Sequence, residues 1–167
     1  MQENSQCGMP AAQKDDIGAK VKIRPFQESD EAAVAEFFDQ MGGESRAFFN
    51  RGDGNRITAL RYFSDHPEGV HYFLAETGGI MVGYVFLFEM TRSIPWLGIA
   101  VRDEYKGRHI GRQLMDYAKD YAKSHGKGGI LLTTHVSNIR AQALYERSGY
   151  ERIGMHNSGE VLYLLRW

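Results

Sequence analysis

The chain has 167 residues, 43% of them hydrophobic and 25% charged, with a formal net charge of -1. That size and balance suit one ordinary folded domain with a well-covered core. The near-zero charge supplies no basic field for nucleic acid, and no apolar run reaches the roughly 18 residues of a membrane span.

Residues 1–19 read as a mobile polar tail, and residues 20–167 as a single domain. The tail is rich in Gln, Asn, Ser, Asp and Gly and lacks the apolar block of a secretory signal. It carries the single cysteine, Cys7, which allows no internal disulfide and suits a reducing, cytoplasmic setting. Residues 21–24 alternate as a short strand. Ser29 and Asp30 then cap a helix with Ala32, Val34, Ala35, Phe37 and Phe38, stopped by Gly42 and Gly43. Residues 44–55 read as irregular, with a turn cluster from Gly52 to Asn55. Asn55 caps a second helix bearing Ile57, Leu60, Tyr62 and Phe63.

Three strands follow, at 70–76, 80–90 and 96–102. The turn at Thr77, Gly78 and Gly79 makes the first pair a hairpin, and the spacing makes all three antiparallel. Residues 101–113 are the most telling stretch. An apolar run (Leu97, Ile99, Ala100, Val101) leads into a loop with two glycines and Lys106, Arg108, His109 and Arg112. An amphipathic helix leaves it, with Ile110, Leu114, Tyr117, Ala118 and Tyr121 on one face. A strand that turns through such a loop into a helix aims backbone N–H groups and the helix N-terminus into one concavity, which suits pyrophosphate. There is no Gly-Lys-Ser/Thr ending for a P-loop, and Gly107 and Gly111 miss the dinucleotide spacing. A fourth strand (130–136) pairs in parallel with 96–102 through the crossover helix. Asn138 opens a further helix carrying Ala141, Leu144 and Tyr145, and residues 150–155 and 161–167 close as a hairpin.

Two segments carry a family resemblance. Lys106-Gly107-Arg108-His109-Ile110-Gly111 is similar to an Arg/Gln-x-x-Gly-x-Gly/Ala loop. Residues 138–150 match Asn-x-x-Ala-x-x-Leu-Tyr-x-x-x-Gly-Phe/Tyr almost position for position. The chain thereby resembles the GNAT superfamily of acyl-CoA-dependent N-acyltransferases from about residue 21 to its end. The resemblance implies an α/β fold: a mixed, strongly twisted and splayed sheet of about seven strands, with helices on both faces.

It also implies acetyl transfer from acetyl-CoA to a primary amine by direct attack, without metal. The acceptor expected is a small molecule. A peptide or protein amine, or a non-catalytic CoA-binding module, are the other options. The implied cofactor residues are Ile99, Ala100, Val101, Lys106, Gly107, Arg108, His109, Ile110, Gly111, Arg112, Asn138 and Tyr145. Ile99 and Val101 would offer backbone groups to the pantetheine arm, beside Gly98, whose missing side chain suits close approach. The loop departs from the family at Lys106 and at His109, where Gly is usual; an amide nest tolerates His there if its φ stays negative.

In the family, the tyrosine at Tyr145 often protonates the departing thiolate, a task that suits a phenol near sulfur. The base that deprotonates the amine is open between Glu89, His135 and a water chain. The resemblance implies that residues 40–56 flank the acceptor. Phe48, Phe49, Asn50, Arg46 and Arg51 would receive an amine that also bears a carboxylate or phosphate, or else the rings pack inward and the arginines are solvated. Many relatives pair through their last strands, so a homodimer is an option.

Overall fold

The computed structural model describes residues 20–49 and 51–167. Cys7 and the expected tail lie outside the described residues, as do Asn50 and the Arg51 side chain.

The strands are β1 (Lys22–Pro25), β2 (His71–Thr77), β3 (Ile80–Phe88), β4 (Trp96–Val101), β5 (Gly129–Thr134), β6 (Glu151–Met155) and β7 (Val161–Arg166). They form one sheet in the order β1-β2-β3-β4-β5-β7-β6. Among the described residues only β4 and β5 run parallel; every other neighbouring pair is antiparallel. The helices are α1 (Glu31–Asp39), α2 (Gly43–Phe49), α3 (Gly54–Asp65), α4 (Ile110–Ser124) and α5 (Ile139–Arg147).

The period-two pattern of the central strands divides the core between two faces. Phe73 and Ala75 pack with Leu114, Ala118 and Ala122, the apolar stripe of α4. Their neighbours Tyr72 and Leu74 face Val34, Phe37 and Phe38 of α1 and Ala59 and Phe63 of α3. That second face is an aromatic layer centred on Tyr84, whose ring meets Phe37 edge-on at 5.5 Å and Phe49 at 5.7 Å.

Asp30 does not cap α1 through its side chain. Its carboxylate instead accepts from the Gln27 N–H at 2.7 Å and from both Arg24 terminal nitrogens at 2.7 and 2.9 Å. The Arg24 hydrogen bonds hold the Asp30 carboxyl below its ordinary range despite burial.

The expectation for residues 44–55 is corrected: residues 43–49 form α2. Ala47, Glu44 and Arg46 favour helix, and tertiary bonds fix so short a segment. The Arg46 guanidinium donates to the Phe38 carbonyl at 3.0 Å and to Asp53 at 3.3 Å. Helix α1 ends at Asp39, short of Gly42 and Gly43, and Gly43 is also the first residue of α2. Asn55 is corrected too. Helix α3 begins at Gly54, with Asp53 before it at φ +58°, and the Asn55 amide donates to the Phe49 carbonyl.

The sheet is split at its parallel pair. Strands β3 and β4 stay in register over six residue pairs, from Phe88–Trp96 to Gly83–Val101, whereas β4 and β5 share only Trp96–Leu131. The Leu131 N–H donates to the Pro95 carbonyl at 2.9 Å, and beyond that point the strands diverge.

Candidate functional site

The divergence opens a cleft of about 650 Å³ between β4 and β5, within the range of small-molecule sites. Strand parity decides which backbone groups face it. The Arg102 N–H donates to Val82 of β3 at 2.8 Å, and the Pro95 carbonyl accepts from β5. Alternation then turns Gly98 and Ala100 towards β3, and Ile99 and Val101 towards the gap. With no ladder partner on β5, the Ile99 and Val101 groups need a partner from elsewhere. Ala100 also lines the cleft, while the same alternation turns its N–H and C=O to β3.

The basic loop closes one end. Gly107 has φ +81° and His109 φ +61°, so the loop alternates through the left-handed region before α4 begins at Ile110. The negative φ expected of His109 is corrected. His109 sits where glycine is favoured, at a backbone cost of about 1 kcal/mol. Gly111 is explained by packing. A Cβ there would stand 3.0 Å from Leu144 of α5, so the glycine lets the helices carrying the two sequence segments meet.

The cations of the loop have partners. The Lys106 ammonium donates to Ser45 Oγ at 2.6 Å and pairs with Asp103, which also accepts from Ser45. Burial would raise the Asp103 carboxyl, but bonds from Lys106 and Ser45 hold it below the usual range. Arg112 donates to the Arg147 carbonyl at 2.7 Å and to Asp116 at 2.9 Å while lining the cleft. Arg108 does not line it; its guanidinium lies 4.9 Å over the Tyr105 ring. Arg140 and Arg147 do line it, at positions that neither the helical stripe nor the loop singled out.

Helix α2 spans the cleft. Ser45 is tied to Asp103 and Lys106 after β4, and the Phe48 ring lies 5.6 Å from His135, just past β5. Phe48 and Phe49 both line the opening, and Phe49 also packs on Tyr84. Arg46 is bound to Phe38 and Asp53 and does not line the cleft.

Tyr145 of α5 lines the cleft from within the core, 6% exposed. Its ring packs 5.8 Å from Tyr163 and 6.2 Å from Tyr150. Its hydroxyl forms no hydrogen bond among the described residues. Burial, with the charge of Glu160 and Tyr163 behind it, raises its pKa, so the phenol keeps its proton at neutral pH. Asn138 lines the cleft and caps α5, accepting from the Ala141 N–H at 3.2 Å.

The expectation for Glu89 is corrected. It follows β3 beyond the Trp96 end of β4, pairs with Arg92 at 3.1 Å and does not line the cleft. His135 is exposed and does not line the cleft, though its ring lies beside Phe48, which does. The carboxylates that line the cleft among the described residues are Glu44 and Glu160, neither of which carries a local sequence signal. No group of three metal-ligating side chains occurs among the described residues, and none of their helices is long and apolar enough to cross a membrane.

The same architecture occurs in solved structures. The GNAT domain of S. lividans PAT matches with a TM-score of 0.77 at 16% identity, over 88% of this chain and 90% of that one. PaiA N-acetyltransferase from Thermoplasma acidophilum, solved in complex with coenzyme A, matches with a TM-score of 0.75 at 15% identity, over 89% and 99%. In sequence, the N-alpha-acetyltransferase RimI of Mycobacterium tuberculosis (strain ATCC 25618 / H37Rv) is 33% identical over 109 residues. That match covers 58% of this chain and 65% of the relative, just under two thirds of its length. Residues 29–150, which run from the first helix through the basic loop to the end of the Asn138 segment, match the model of the acetyltransferase (GNAT) family. A family match over that much of the sequence means that the chain belongs to the GNAT family of acetyltransferases.

Proposed function

We propose that the protein transfers an acetyl group from acetyl-CoA to a primary amine by direct attack. The observation that carries this is the split between β4 and β5, which leaves the Ile99 and Val101 backbone without strand partners beside the basic loop. A polar arm of pantetheine type satisfies such groups, and the left-handed turn with the α4 N-terminus suits its pyrophosphate. When bound, acetyl-CoA supplies the activated acyl group. Val101 N–H polarises the thioester carbonyl, and Tyr145 protonates the departing sulfur. Alignment of amine and thioester in the cleft supplies much of the rate.

The acceptor we infer is the α-amine of a peptide or protein N-terminus. The support is the M. tuberculosis relative, which is named an N-alpha-acetyltransferase. A small amine is the second reading. It is favoured by α2, which bridges the cleft between Ser45 and Phe48 and narrows the approach.

A thiol-release assay with acetyl-CoA and a panel of amines tests both. Release is expected with peptides bearing a free N-terminus and not with their blocked counterparts. Release confined to polyamines, amino sugars or free amino acids selects the second reading. Silence with every acceptor refutes the proposal.

A further inference from the structure

Glu160 is a cleft carboxylate with no part in the binding of the acyl donor described so far. It stands immediately before β7, where its carbonyl accepts the His156 N–H at 2.8 Å and so fixes its place in the β6–β7 turn. Its Oε2 accepts from Thr133 Oγ1 of β5 at 2.7 Å and from Ser158 Oγ at 3.3 Å. It is half-buried and forms no ion pair with any Lys, Arg or His among the described residues. Glu44, the other carboxylate of the cleft, is exposed on α2. Asp103, tied to the rim of α2 through Ser45, already faces the Lys106 ammonium.

A half-buried carboxylate held by two neutral hydroxyls has lost part of its hydration without gaining a cation. An alkylammonium, with three donors and a positive charge, fits that deficit. Glu160 also shares the cleft with Tyr145, the phenol assigned to the sulfur. Its charge acts on Tyr145 of α5, and His156 in its own turn shares Ser158 with it; Arg112, Arg140 and Arg147 line the same cleft.

We propose that Glu160, oriented by Thr133, receives the ammonium of the acceptor and takes its proton before attack. This rests on the acetyltransferase reading and supplies the base that Glu89 does not. The balance is simple. The ammonium gives one proton to Glu160, which passes it to water. The freed amine forms the C–N bond as the C–S bond breaks. Tyr145 gives its proton to the thiolate and regains one from the nitrogen, leaving amide, thiol and one proton in solution.

The test compares wild type, Glu160→Gln and Thr133→Val by acceptor kcat/KM across roughly pH 6 to 10, the range spanning amine ionisation. Gln keeps an acceptor for Thr133, so calorimetric CoA affinity should stay at the wild-type value. At neutral pH, Glu160→Gln is expected to lose about 100-fold. That deficit should shrink about tenfold per pH unit until the amine's own pKa, because solution then deprotonates the substrate. Thr133→Val should follow the same course with a loss of about tenfold. An active wild type with a Gln variant of equal activity, or with a loss that does not vary with pH, overturns this assignment alone. A wild type silent with all amines overturns the acetyltransferase reading as well.

Discussion

Tyr145→Phe is expected to lower kcat by about 100- to 1,000-fold while CoA affinity stays within about twofold. The substitution removes one oxygen and little packing. The ring sits against Tyr150 and Tyr163 in the α4 face of the core, and a phenyl ring fills the same space. The hydroxyl has no protein partner among the described residues, so its loss leaves no bonded group stranded. On the proposed mechanism, what is lost is a proton donor inside the cleft. Burial first, and the Glu160 charge second, keep that proton in place at neutral pH. A donor used only as the C–S bond breaks lowers kcat and kcat/KM together and leaves ground-state binding alone. Steady-state kinetics with a parallel calorimetric titration check this. A kcat unchanged from wild type would make Tyr145 a packing residue.

Gly98→Val is expected to destabilise the fold by about 3 kcal/mol, a fall in Tm of roughly 6–12 °C for a chain of this size. Valine ordinarily suits a strand, so a loss here is diagnostic. The reason is Phe86, the cross-strand partner of Gly98. A Cβ at Gly98 would lie 2.3 Å from two carbons of the Phe86 ring. The ring cannot swing away freely, because it stacks on Tyr72 at 4.9 Å, Phe88 at 5.7 Å and Tyr84 at 5.9 Å. The glycine thus serves an aromatic that covers it. Close approach by a ligand, the sequence-based expectation, is not needed to account for it. Thermal unfolding of the variant decides, and a Tm equal to wild type would mean that Phe86 repacks without cost.

Local signals were strong where an element carries its own pattern. The apolar stripe of α4, the Asn138 cap and the β2–β3 turn are readable because their causes lie within one or two turns of chain. Helix α2 was not readable. Seven residues give too little periodicity, and its anchor, Asp103, lies 58 residues from Ser45. Glu89 misled because strand order does not say which end of β4 faces the gap. Parity and the single β4–β5 pair do say so, and both are tertiary facts. Glu160 has no local signature at all: a lone acid in a turn becomes notable only once β7 is laid beside β5 and Thr133 meets it. The left-handed φ of His109 was hidden for a related reason. Any residue but glycine is uncommon there, and the loop geometry is set by the passage from β4 into α4.

The most direct test of the central claim is an amide-resolved NMR titration of the whole protein with CoA. Saturable shifts are expected at Ile99 and Val101, whose backbone faces the gap, and at Gly107 and His109 to Gly111 in the loop, with the β1–β2 edge unmoved. An unchanged spectrum at millimolar CoA, or shifts that avoid β4 and the loop, would mean that CoA does not bind in this cleft.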